Sequence, residues 1–372
     1  MSDQRSRTRT GRRPTVYDVA RAAGVSTATV SFTFTKPDRV KEETRQTVLA
    51  AAEALGYVPS ASARGLARGA TGALGLYAFD YLLEGEASAT GSAEDDAIEA
   101  SLRMPDGRLF PLYADEVQRG VQLECRRRGY ALMLGAGDFA QSRDVVDVAG
   151  RVDGLIAFAG AAPGETLAQL STRLPVVELG GAVRRPGMHT VFVDQGTAMA
   201  ELASHLMTAH GHRRFAYVGA LSTPEFESRY AAFRNTLEAA GLPVPAPTDS
   251  HPGDDASTER VVEQLLASGP LPDAFVCSTD QEALVTIRTL RAAGYSVPAG
   301  TAVTGYDGVI AGRLSSPTLT TVRQPMEAVG REAVRILLRA LEGDGSTGRD
   351  VTLPCRLWIG ESCGCAADSI RH

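Results

Sequence analysis

From Val16 to Phe34 the apolar positions follow a helical period. Val16, Val19, Ala20 and Ala23 fall at i, i+3, i+4 and i+7, which makes one apolar helix face. Gly24 follows where a helix ends and the chain turns. Ser26 suits the N-cap of a second helix of about nine residues. On that helix Val30, Thr33 and Phe34 share one side, while Thr27, Ala28, Ser31, Phe32 and Thr35 share the other. A third helix over 42–55 carries Val48, Ala52 and Leu55 at helical spacing. These three helices predict a small core over 14–59, with a basic, disordered stretch over 1–13 ahead of it.

After Ala70 the pattern changes. Short apolar runs at 72–79, 130–136, 152–159, 174–179, 213–220, 273–278 and 301–306 read as buried strands. Helical periodicity fills 113–128, 195–210, 227–240, 256–268, 280–293 and 325–342. Strand–helix alternation of this kind predicts an α/β architecture of parallel sheets covered on both faces. The remaining length is enough for two such sheets. The chain therefore reads as a small all-α head on an α/β body.

Composition adds little, since 44% hydrophobic and 22% charged residues are ordinary for a globular protein. No apolar run reaches the length of a membrane span, and no apolar segment follows the basic start, so no membrane partner and no export signal are expected. Five scattered cysteines suggest a reducing, cytoplasmic setting rather than a disulfide framework. Charge distribution says more. Residues 1–70 hold twelve Lys and Arg against six Asp and Glu, although the whole chain carries net −6. A basic head on an acidic body points to a polyanion partner for the head alone.

Two short helices around a tight glycine turn form a helix-turn-helix, whose second helix enters the DNA major groove. "TVYDVARAAGVSTATVS" and the following "VKEETRQTVLAAAEALGYVPSASARGLARG" resemble the N-terminal signature of the LacI/GalR family of bacterial transcriptional regulators. The resemblance implies double-stranded operator DNA as partner. Thr27 and Ala28 match positions that read base edges, Ser31 a base or phosphate contact, and Thr15 and Tyr17 backbone contacts. Phe32 departs from the pattern, because many members carry an arginine there that pairs with guanine. Phenylalanine cannot donate to guanine, but it can press on a thymine methyl or pack against the hinge of its own chain. Thr35 stands where an asparagine is common. In the hinge, 60–70, Leu66 matches the leucine that wedges into the minor groove, with Arg64 beside it for the groove wall or phosphates. Off DNA the same stretch reads as a flexible linker.

"GLIAF", "HRRFAYVG", "STDQEAL", "AVTGYDG" and "SPTLTTVRQP" resemble the periplasmic-binding-protein-like effector and dimerisation domain of the same family, here 71–360. The resemblance implies two lobes with a ligand between them, the chain crossing three times. Lobe one is expected over 71–190 and 322–360, lobe two over 191–321, and a tail over 361–372. Arg229 matches the family arginine that forks onto ligand hydroxyls or a carboxylate, and Asp307 an acidic position often bonded to ligand. Asp280 follows a strand end and is either a ligand acceptor or a helix cap. Asp194 has the same two readings, and Gln324 sits at a crossing. About thirty residues, 81–109, interrupt the pattern as an acidic insertion, read as disordered or as a lid or partner site.

The implied function is a homodimeric DNA-binding regulator, a repressor whose operator affinity is switched by a sugar-like effector. A solute-binding protein without a transcriptional role is the alternative. No triad, phosphate loop or other catalytic constellation appears, so no enzyme activity is expected, and no cofactor. Cys363-Gly-Cys365 lacks a companion histidine at ligand spacing and reads as a reduced tail. His205, His210 and His212 read as cations capping a helix end, and no metal is expected.

Overall fold

In a computed structural model, residues 14–58, 70–79, 112–137, 142–181, 184–251, 254–343 and 348–366 are described. The expected basic start, the hinge with Arg64 and Leu66, the insertion 81–109 and the last six residues lie outside them. The chain divides into two units, residues 1–72 and 73–372.

The first unit is built from α1 (Val16–Ala23), α2 (Thr27–Thr35) and α3 (Glu42–Leu55), with a 3₁₀ turn at Pro37–Arg39. The Thr15 backbone N–H and hydroxyl both donate to Asp18, which fixes the start of α1. Gly24 ends α1 in the left-handed region at φ 66°, a conformation that costs any residue with a Cβ. Ser26 caps α2 by accepting from the Thr29 N–H at 3.1 Å. Val19, Ala20, Val30, Val48 and Ala52 form the buried centre, and Phe34 closes it against Tyr57 at 6.1 Å between rings. Each fully buried valine there stabilises the head by roughly 1.5–3 kcal/mol.

The second unit contains two sheets. The first is assembled from β1 (Ala73–Phe79), β2 (Ala131–Gly137), β3 (Gly154–Phe158), β4 (Val176–Leu179), β5 (His189–Asp194) and β10 (Asp350–Pro354). They run parallel in the order β10-β5-β4-β3-β1-β2. Helices α4 (Leu112–Arg128), α5 (Ser142–Ala149), α6 (Gly164–Leu170) and α12 (Met326–Leu341) belong to this lobe. The second sheet has the order β11-β9-β8-β7-β6, from β6 (Phe215–Val218), β7 (Ala274–Cys277), β8 (Ala302–Asp307), β9 (Thr320–Arg323) and β11 (Arg356–Trp358). Around it lie α7 (Gln195–Ala209), α8 (Pro224–Ala239), α9 (Asp255–Ser268), α10 (Asp280–Ala292) and the short α11 (Ile310–Leu314).

The chain crosses between the sheets at Asp194–Gln195, between β9 and α12, and at Cys355 between β10 and β11. Two expectations change here. The lobe boundaries shift, because β5 stays in the first sheet through Asp194, whereas β9 and β11 both belong to the second. The sheets are also not wholly parallel, since β11 pairs antiparallel with β9. The reason is directional. β9 leads out of the second lobe at Arg323 and β11 leads back in, so the two crossing strands run in opposite senses.

Candidate DNA-reading face and effector cleft

On α2 the buried side is Val30 and Thr33. The opposite side leaves Ala28 and Ser31 exposed, Thr27 and Thr35 half-buried, and Phe32 41% exposed. Tyr17, on α1, is 67% exposed. The face predicted from helical spacing is therefore free to meet a partner. Two hydroxyls among the expected DNA contacts are already engaged: Thr15, before α1, with Asp18, and Thr35 donating to the Ser31 carbonyl at 2.8 Å. An aromatic of this exposure next to small residues gives a shallow, weakly polar surface suited to methyl contacts rather than to a guanine fork.

In the body, Arg229 projects from α8 and is buried. Its Nε donates to Gln195 Oε1 at 2.9 Å, and one terminal nitrogen donates to the Ser278 carbonyl at 2.7 Å. The other lies 3.6 Å from Asp307 Oδ1. The guanidinium stacks 3.8 Å from the centre of the Tyr306 ring and 5.0 Å from that of Phe226. Burial works against its charge, but Asp307 and the surrounding phenols hold its pKa above the ordinary value.

Asp307 ends β8 with φ 115°, in the region that disfavours side chains, and among the described residues it is the one non-glycine there. Burial pushes its carboxyl up to about 6, against the pull of Arg229 and of the Gln324 amide. Gln324 Nε2 donates to Asp307 Oδ1 at 2.7 Å, while Gln324 Oε1 is buried without a hydrogen bond. Tyr113 of α4 lies near enough to feel both Asp307 and Arg229, and burial raises its phenol. The lobes are latched beside this cluster. Arg323 makes a bidentate pair with Glu116 of α4, and the Gly181 N–H donates to Glu225 at 2.6 Å.

Arg229, Asp307 and Gln324 are thus brought together as expected. Asp194 and Asp280 are not part of the cluster. Asp194 accepts from the Thr197 N–H at 3.1 Å and caps α7, and the Thr197 hydroxyl and then that N–H lower its pKa. Asp280 is wholly buried, where the Val309 N–H and the Thr321 hydroxyl donate to its two oxygens. It is neither cap nor cleft lining: Thr279 caps α10, and Asp280 pins the loop after β8 to β9. Burial holds its carboxyl well above the usual range.

Sequence reading did not find Gln195, Phe226, Tyr306, Tyr113 or the Glu116–Arg323 pair. Gln195 and Tyr306 each stand next to a predicted position, so adjacency was the available signal. The CxC and the histidines, treated separately above, meet in space. His205, His210, Cys363 and Cys365 place one donor atom each within 4.8 Å of one another. Burial lowers the pKa of all three histidines, which works against their capping the helix as cations.

Residues 15–60 match the model of the bacterial regulatory proteins of the lacI family, and 203–363 that of the periplasmic binding protein-like domain. The HTH-type transcriptional repressor PurR of Aliivibrio salmonicida (strain LFI1238) is 30% identical over 337 residues, 88% of this chain and 92% of that one. A transcriptional regulator CelR–cellobiose complex is 27% identical with a TM-score of 0.62, covering 94% of this chain and 100% of its own. The Lac repressor bound to ONPG in the repressed state is 25% identical with a TM-score of 0.74, at 94% and 100% coverage. With a helix-turn-helix head, a two-lobed body and a full-length relative at this identity, the chain belongs to the LacI family of bacterial DNA-binding transcriptional regulators.

Proposed function

We propose that the protein is a homodimeric cytoplasmic repressor, without catalytic activity, whose hold on its operator is switched by a neutral, hydroxyl-rich effector at Arg229 and Asp307. One observation carries this reading: the pair is wired to all three crossings between the lobes. Arg229 bonds Gln195 at the first. Asp307 accepts from Gln324 at the second. Tyr306, under the guanidinium, lies 3.6 Å from Cys355 Sγ at the third, its hydroxyl donating. A ligand that competes for these groups acts on every hinge at once, which is the differential contact a two-state switch requires.

Chemistry favours a sugar or other polyol over an anion. Arg229 has five N–H donors, and its contacts with Gln195, Ser278 and Asp307 occupy three. The remaining donors and the Asp307 carboxylate suit a hydroxyl that both accepts and donates. The guanidinium is already charge-paired, so the cluster offers no uncompensated cation to a phosphate or carboxylate ligand. The relatives solved with cellobiose and with ONPG support this class.

On the DNA side, Thr15, Tyr17, Thr27, Ala28, Ser31, Phe32 and Thr35 would meet the major groove and its phosphates, and Arg64 and Leu66 the minor groove. Each protomer would read one half of a near-palindromic site. The test is a mobility shift on DNA flanking the chain's own gene, with and without a panel of sugars. A shift released by one sugar is the expected result. A shift that no sugar changes, but that a carboxylate or phosphate ester releases, would overturn the polyol assignment. No specific shift on any such DNA would overturn the repressor reading.

A further inference from the structure

We propose that His205, His210, Cys363 and Cys365 form a structural zinc site that clamps the C-terminal turn of the chain onto the second lobe. The residues come from two places far apart in sequence. His205 lies in the last turns of α7 and His210 is the residue that ends it. Cys363 closes the 3₁₀ turn Glu361–Cys363, and Cys365 follows two residues later.

The geometry fits a tetrahedral ion. With zinc–nitrogen bonds of about 2.05 Å and zinc–sulfur bonds of about 2.3 Å, a tetrahedron sets two nitrogens about 3.4 Å apart and a nitrogen and a sulfur about 3.6 Å apart. Here the two Nε2 atoms are 3.3 Å apart. Cys363 Sγ and Cys365 Sγ each lie 3.6 Å from His205 Nε2, and Cys365 Sγ lies 3.4 Å from His210 Nε2. Cys363 Sγ also lies 3.5 Å from the Gly360 carbonyl. As a hydrogen-bond set these four atoms are weak: the thiols are poor donors, and the contact between the two Nε2 atoms is a hydrogen bond only if one of them carries its ring's proton. As a ligand set they are complete, and a closed Cys₂His₂ shell is the structural type.

The backbone brings the thiols in. Gly364, between the cysteines, has φ 103°, and a Cβ there would stand 3.4 Å from His210 Nδ1. This left-handed turn folds Cys365 back toward the Cys363 side. The turn itself is held by Ser362, whose hydroxyl accepts from the Thr320 N–H and donates to the Val303 carbonyl. Cys363 is thus positioned by bonds that need no metal. Cys363 is buried, while His205, His210 and Cys365 are only half-buried, which leaves a path for the ion to enter.

The test uses the untagged full-length protein, purified under reducing conditions, with zinc measured by elemental analysis. About one zinc per chain is expected, and Cys363→Ser/Cys365→Ser should lose it at least about tenfold. Cobalt(II) added to metal-free parent protein should give the intense visible bands of a tetrahedral ion together with a thiolate charge-transfer band. That spectrum is read on the parent sequence, so it does not depend on a variant folding. Chelation should lower the Tm of the parent and leave the Tm of the double variant unchanged. Less than about a tenth of an equivalent of zinc, with no tetrahedral cobalt spectrum on the reduced parent, would overturn the proposal. A Cys363–Cys365 disulfide in protein taken directly from cells would do the same.

Discussion

Asp307→Asn is expected to make the protein more stable near neutral pH while removing its response to effector. The carboxyl is buried and its pKa stands at about 6, against an ordinary 3.8. In the folded state it therefore holds a proton over a range where the unfolded chain has released one. Stability from this group is fully present below pH 3.8 and is lost as pH rises through about 6. Two pKa units at 1.36 kcal/mol each put the loss at about 3 kcal/mol by pH 7. Arg229 opposes the loss, since a pair at 3.6 Å gains of the order of 5 kcal/mol at an effective dielectric near 20. The raised pKa says that burial outweighs that attraction.

Asparagine cannot ionise, so it avoids the loss. Its amide oxygen can still accept from Gln324, and asparagine tolerates positive φ better than most residues. Urea denaturation of parent and variant should give a gap of at most about 3 kcal/mol in favour of the variant at pH 7, shrinking to about 0.5 kcal/mol at pH 4. Calorimetric titration with the identified effector should show binding to the parent that weakens below about pH 6, and none to the variant. A variant less stable than the parent at pH 7, or a gap that does not change with pH, would refute the reasoning. The first result would mean that the ion pair with Arg229 outweighs the desolvation of Asp307, and the second that the two balance.

Arg229→Ala should also abolish the effector response, but it leaves Asp307 buried without its cation and removes the bonds to Gln195 and Ser278. A loss of roughly 3–5 kcal/mol in denaturation of the body is expected, and a fall well under that range would contradict the burial of the pair. Phe32→Ala should weaken operator binding by about 1–3 kcal/mol, as expected for one lost base-pair contact, with no change in the melting of the head because Phe32 is 41% exposed. Fluorescence anisotropy on operator DNA checks it, and equal affinity would take Phe32 off the DNA. Leu66→Ala should reduce operator affinity and leave effector affinity as it was. Equal operator binding by the two proteins would remove the minor-groove wedge from the account.

The head was readable because its signals are local. The spacing of Val16, Val19, Ala20 and Ala23, the glycine turn and the Ser26 cap all act within one or two helical turns, and each reappears as burial or a hydrogen bond. The long helices and the apolar strands of the body were legible for the same reason. The strands that were missed, β5, β9, β10 and β11, have apolar runs broken by threonine, histidine or charged residues. All four lead into or out of a crossing, so boundary errors gathered where the lobes are joined.

The cleft was legible only in part, because position at a strand end does not determine what a carboxylate meets. Asp280 and Asp307 both follow apolar strands and look alike in sequence. The fold separates them through the loop after β8. Its Val309 N–H turns toward Asp280, and the Thr321 hydroxyl of β9 closes on the same carboxylate. With both oxygens taken by its own lobe, Asp280 can hold two strand ends together but has nothing left for a ligand. Asp307 spends one oxygen on Gln324 and lies beside a guanidinium that has donors to spare. The difference between a structural carboxylate and one available to an effector therefore rests on two bonds made across 29 and 41 residues, at a range that no local pattern encodes.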